Sequence, residues 1–174
     1  MVRPKPGTLD PVSPENILLR LPEAQEQTVR EIYAALEQRG FPPQHQRPHI
    51  SVTFAPAMHR RAIAAAVDLL PPLLPATLRR SGVVVFGTKS KQTVAWLLEA
   101  PEDLERAARA VSASNPEGRG ERWVPHVTMG LRLPKAVVPD YIAALAEVTS
   151  PHLTELTAAS AAFYQPSLGT EVVL

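Results

Sequence analysis

The sequence predicts a duplicated fold of mixed strands and helices, two copies of one unit within a single small domain. Two observations carry this. The stretch Pro48-His49-Ile50-Ser51-Val52-Thr53-Phe54 has a twin downstream in Pro125-His126-Val127-Thr128-Met129. The two histidines stand 77 residues apart, and the same offset brings the elements around them into register. Two chance copies of the pattern in a chain of this length come to roughly one in ten thousand.

The chain reads as follows. Residues 1–14 are rich in proline and read as a loose tail. Ile17 to Leu21 is a buried strand, and Pro22-Glu23 opens a helix whose Val29, Ile32, Tyr33 and Leu36 share one face. Gly40, just past Arg39, is its stop. The His49 strand follows, then a helix with Ile63, Ala66, Val67 and Leu70 on its apolar face, ended by Pro71-Pro72.

Leu78 to Phe86 is the third strand, with a polar connection from Gly87 to Gln92. Thr93 to Glu99 is a strand, and Pro101 starts a helix with Glu102 and Asp103 in its first turn and Leu104, Ala107, Ala108 and Val111 inward. Asn115 to Glu121 is a loop, the His126 strand comes next, and Pro139 opens a helix with Val138, Tyr141, Ile142 and Leu145 inward. Leu153 to Tyr164 and Thr170 to Leu174 are strands around a Gln165–Gly169 turn. The 77-residue offset superimposes strand–helix–His strand–helix–strand on itself, giving one domain over 1–174 with pseudo-repeat lobes at about 15–88 and 92–174.

Composition narrows the function. The 174 residues are 45% hydrophobic and 20% charged, as in an ordinary globule, and a net charge of +1 argues against a surface that coats nucleic acid. There is no cysteine, so thiolate catalysis, disulfides and cysteine-ligated metals are excluded. The first residues lack the apolar run of a signal peptide, and the stretch from Leu69 to Leu78 is too broken by proline to span a bilayer, so the expectation is a cytoplasmic protein.

On a strand, side chains alternate faces, so His49 and Ser51 point one way while Ile50 and Val52 point the other. His126 and Thr128 sort the same way against Val127 and Met129. If the two repeats pack about a pseudo-two-fold axis, His49 faces His126 across a groove with Ser51 and Thr128 beside them. Two imidazoles flanking one atom suit acid–base chemistry near neutral pH, one removing a proton and the other supplying one. Two fixed hydroxyls suit the non-bridging oxygens of a phosphodiester. No metal or other cofactor is required by that layout.

The two motifs resemble the paired His-x-Ser/Thr-x signatures of the two-histidine (2H) phosphoesterase superfamily, and within it the 2′-5′ RNA ligase / RNA 2′,3′-cyclic phosphodiesterase family. The resemblance extends over nearly the whole chain in length, rhythm and motif spacing. It implies an α+β, bilobal duplicated fold with two antiparallel-sheet lobes and outer helices around a central cleft. It also implies cofactor-independent hydrolysis of 2′,3′-cyclic phosphate ends of RNA or oligonucleotides to 2′-phosphates, with reversible 2′-5′ ligation in some members. Carried over, His49 is the proton donor and His126 the acceptor, with Ser51 and Thr128 binding the phosphate. Apart from the resemblance, the expectation is a monomer without a membrane partner.

Other polar residues carry less. Arg47 and Arg122 share strand parity with the histidines, but solvated strand-end arginines are the commoner case. Lys89 and Lys91 read as solvent loop, Arg79, Arg80 and Arg119 as surface, and Trp123 and Tyr164 as core aromatics with base stacking as the rarer use. His45, His59 and His152 lack the motif. Three rival readings stand beside the phosphodiesterase: a zinc site on the two histidines, which lacks a third ligand; a non-catalytic binder of RNA ends; and an enzyme for small cyclic phosphates such as ADP-ribose 1″,2″-cyclic phosphate or a cyclic nucleotide.

Overall fold

A computed structural model describes residues 13–174; most of the expected tail, 1–14, lies outside the described residues. Among the described residues the elements run β1 (Glu15–Arg20), α1 (Glu23–Gln38), β2 (His49–Ala55), α2 (Arg60–Leu69), β3 (Ala76–Phe86), β4 (Lys91–Glu99), α3 (Glu102–Ala113), β5 (His126–Pro134), α4 (Val138–Val148), β6 (Glu155–Ala158), β7 (Ser160–Gln165) and β8 (Thr170–Val173). They form two four-stranded antiparallel sheets, β2-β1-β7-β8 and β5-β4-β3-β6. This is the α+β, two-sheet architecture that the sequence resemblance implies.

Alternation is what sets the inner face. Ile17 and Leu19 of β1, Ile50 and Val52 of β2, Val94 and Trp96 of β4, and Val127 and Met129 of β5 enter one continuous core. Ile50 and Val127 are fully buried, each contributing about 1.5–3 kcal/mol relative to exposure. That burial pins the strand register, because a slip of one residue would turn His49 or His126 into the core.

The helices cross between the sheets. From α1, Tyr33 reaches the β5 backbone and Gln25 bonds Thr157 of β6. Conversely, α3 packs on β2 and against α2, while α1 packs on α4. The end of α1 follows from Gly40 at φ 91°, in the left-handed region. Gly40 N–H donates to the Glu37 carbonyl and Phe41 N–H to that of Leu36, a Schellman closure, and Phe41 then meets the Tyr141 ring edge-on at 5.2 Å.

Three details depart from the sequence reading. In α2 the buried residues are Ala62 and Ala66, followed by Leu70, whereas Val67 is 47% exposed. The helix is rotated so that small side chains meet α3, and alanines carry too little hydrophobic signal to reveal it. His59 caps this helix, its Nδ1 accepting from Arg61 N–H at 3.1 Å.

Next, the run from Leu153 to Tyr164 is not one strand. It breaks at Ala159, whose N–H donates to the Arg20 carbonyl at 2.7 Å, and passes from β6 in one sheet to β7 in the other. The two halves of the chain therefore interleave: β3 lies beside β4, and β7 lies beside β1. Last, Arg80 is not plain surface, since it donates to the Leu153 carbonyl at 2.8 Å and lies 5.2 Å over Trp96. No helix among the described residues is long and apolar enough to cross a membrane.

Candidate active site

Both motif strands are edges: β2 ends one sheet, β5 ends the other, and the two pack side by side. An edge strand carries outward backbone groups that need partners. Here each is capped by an aromatic polar tip from the opposite half of the chain. Trp123 Nε1–H donates to the Ser51 carbonyl at 2.9 Å, and Tyr33 O–H donates to the Thr128 carbonyl at 2.7 Å. Burial pushes the Tyr33 phenol up to about 12, so it remains a donor. Thus the backbone of each hydroxyl residue is held by the other half of the chain.

The two histidines are anchored identically. His49 Nδ1 lies 2.8 Å from the Arg47 carbonyl, and His126 Nδ1 lies 2.7 Å from that of Val124. A carbonyl only accepts, so Nδ1 carries the proton and Nε2 is the nitrogen not engaged by that bond. Pro48 and Pro125 follow Arg47 and Val124 in the chain, and a residue before proline disfavours helical backbone.

Burial lowers both imidazoles below their ordinary value. For His49, the bond to the Arg47 carbonyl opposes this, the charges of Arg20 and His126 add to it, and Glu171 opposes it.

Of the hydroxyls, Ser51 Oγ accepts from Asn16 Nδ2 at 2.8 Å, which leaves its own O–H free to donate. Both Ser51 and Thr128 are half-buried. The arrangement presents two Nε2 atoms and two hydroxyl donors on the faces of two adjoining strands.

Sequence reasoning passed over the support for this group. Arg20, opposite His49 in the β1–β2 register, is 6% exposed and pairs with Glu171 of β8. That pairing holds the Glu171 carboxyl below its usual range. Among the described residues, Arg20 Nη1 and Asn16 Oδ1 are buried without a hydrogen-bond partner. Asn16 and Arg20 share parity on β1, the one signal available in advance. Asn115, 3% exposed, ties the following loop to β2 through Thr53 Oγ1 at 2.8 Å.

The weaker candidates sort as follows. Arg47 is bound by Glu26, its Nε 3.0 and 3.1 Å from the two carboxylate oxygens. Tyr164 is half-buried, with the Arg20 guanidinium 6.0 Å from its ring centre. Lys89 and Lys91 are exposed, Arg79 pairs with Glu99 on the surface, and His45 and His152 are exposed. Trp123 is 8% exposed and combines packing with its bond to Ser51.

Arg119 and Arg122 border a cavity of about 360 Å³ that opens off the Ser51–His126 corner. His49 and Thr128 do not line it. No group of three or more His, Cys, Asp or Glu side chains among the described residues is placed to hold a metal ion.

No protein-family profile matches the chain, and no curated protein is similar to it in sequence. Solved structures are similar in fold. A structure of Kluyveromyces marxianus Usb1 with uridine monophosphate aligns at a TM-score of 0.50 and 13% identity, over 94% of this chain and 98% of that one. A second structure of Kluyveromyces marxianus Usb1 aligns at 0.50 and 13%, over 92% and 96%. The chain thus has the two-sheet α+β fold of Usb1 over nearly its whole length.

Proposed function

We propose that the protein is a metal-independent 2H-type phosphodiesterase that opens 2′,3′-cyclic phosphate ends of RNA or oligonucleotides to 2′-phosphates. The observation that carries this reading is the matched pair of Nδ1-anchored histidines on adjoining edge strands, each with a hydroxyl two residues on. A Usb1 structure of the same fold was solved with uridine monophosphate, and a nucleotide is the ligand class proposed here.

In the proposed reaction His126 Nε2 takes a proton from water as the water oxygen bonds to phosphorus. The bond from phosphorus to the 3′-oxygen breaks, and His49, protonated at Nε2, gives its proton to that oxygen. Ser51 and Thr128 donate to the non-bridging oxygens, where negative charge grows. Solvent then returns a proton from His126 to His49. With a 5′-hydroxyl in place of water, the same displacement makes a 2′-5′ linkage.

The test is turnover of an oligonucleotide ending in a 2′,3′-cyclic phosphate, in EDTA, with 2′- and 3′-phosphate products resolved. The expected product is the 2′-phosphate, formed at the same rate with and without chelator. A 3′-phosphate, loss of activity in EDTA, or no turnover by folded protein would overturn the proposal.

A further inference from the structure

The buried face of α1 carries a carboxylate. Glu26 is 5% exposed and lies among Val29, Tyr33 and Leu36 on the inner side of the helix. Burying a charge is costly unless a partner offsets it. The partner is Arg47, in the connection between α1 and β2. Its Nε donates to the two Glu26 oxygens at 3.0 and 3.1 Å, and its Nη2 lies 3.0 Å from Oε1. On the other side, Nη1 lies 3.7 Å from Glu171 of β8.

Little else fixes that connection. Among the described residues, 42–48 make no backbone–backbone hydrogen bond. Side chains tie the segment down: Gln44 Oε1 accepts from Leu131 N–H at 2.8 Å, and Arg47 grips Glu26. Yet the Arg47 carbonyl is the acceptor for His49 Nδ1–H at 2.8 Å. The anchor of the His49 ring therefore depends on a side chain held by α1.

His126 makes the same bond without such a brace. The 77-residue offset sets Val124 against Arg47 and Asp103 against Glu26. Val124 has no charge to clamp, and Asp103 is exposed. The His126 ring rests instead against Phe86, with 4.7 Å between centroids.

We propose that Glu26 is a positioning residue for His49, acting through Arg47. The ion pair fixes the Arg47 carbonyl, and the carbonyl fixes the ring with its proton on Nδ1. Arg47 thus serves the ring and not a substrate phosphate. The hold on the ring stands on this geometry; its effect on turnover rests on the phosphodiesterase reading above.

Two variants test it. Glu26→Gln keeps the shape and removes the charge. Arg47→Met removes the guanidinium from a half-exposed side chain and leaves Glu26 with Arg30, 3.8 Å away. Imidazole ¹H–¹⁵N spectra at about pH 8, where both lowered rings are neutral, read the tautomers without substrate. Both rings of the unaltered protein are expected as the Nδ1–H tautomer. In either variant His49 is expected to gain the Nε2–H form while His126 stays unchanged. An unchanged His49, or equal movement of both rings, would overturn the proposal.

Turnover of the cyclic-phosphate oligonucleotide is the second readout. In each variant kcat should fall about tenfold to a hundredfold with KM within about twofold, the larger loss being that of a reacting group displaced by about 1 Å. The double variant should be no slower than the worse single, because both changes release the same carbonyl. Additive losses, or a rise in KM confined to Arg47→Met as a direct phosphate contact would give, would overturn the proposal. Absence of turnover by the unaltered protein would count against the phosphodiesterase reading instead, and the spectra then decide the positioning role.

Discussion

Tyr33→Phe tests how the two halves of the chain hold one another. The phenol is 5% exposed, and its O–H donates to the Thr128 carbonyl at 2.7 Å, on the outer edge of β5. Phenylalanine fills the same space, so no cavity term enters. What remains is a partly buried carbonyl stripped of its donor, at a cost of about 1–3 kcal/mol. Gln46 Nε2, at 3.4 Å from the phenol oxygen, is too distant to add much.

Urea melts of the two proteins should show that loss with an unchanged m-value, and the thermal midpoint should fall about 2–4 °C per kcal/mol. A difference below about 0.3 kcal/mol, or a gain in stability, would refute the idea that aromatic tips from one half of the chain seal the edge strand of the other.

Two further predictions concern charge. In the free protein burial lowers both His49 and His126, and the proposed mechanism needs one protonated and one neutral, so kcat/KM should peak below the ordinary imidazole value of about 6.5 and fall toward pH 8. A profile flat from pH 6 to 9 would contradict the histidine pair. Glu171→Gln should cost about 1.5–3 kcal/mol by urea melt, because Arg20, 6% exposed, loses its anionic partner. The Glu171 carboxyl is held below its usual range, chiefly by its hydrogen bond to Arg20. Its stabilisation is present above the unfolded carboxylate value of about 4.3 and lost as pH falls through the folded value, so the difference between the proteins should shrink in acid.

Much of this was legible in the chain because one face of each strand is buried. Period-two alternation around His49 and His126 could be satisfied in only one register, so the outward direction of both imidazoles and both hydroxyls followed from Ile50, Val52, Val127 and Met129. The expectation of a duplication rests on the same apolar faces, which recur at one offset in the sequence.

What could not be read depends on partners far away in sequence. Arg20 and Glu171 are 151 residues apart, and nothing local to either names the other. Asn16 looks like any polar strand residue until Ser51 is set beside it. The passage from one sheet to the other at Ala159 leaves no local mark, because β6 and β7 are both short apolar runs and only the register of β3 and β1 separates them. The cavity, assembled from β2, β3, α3 and a loop, has no sequence signature of its own.

The most direct test of the paired-histidine mechanism is turnover of a 2′,3′-cyclic-phosphate-ended oligonucleotide in EDTA by His49→Ala, His126→Ala and the double variant, each shown to be folded by its melt. If the two rings act as a unit on one phosphorus, each single change should cut kcat about a hundredfold or more, and the double should be little slower than the worse single. Full activity in either folded single variant would contradict the account.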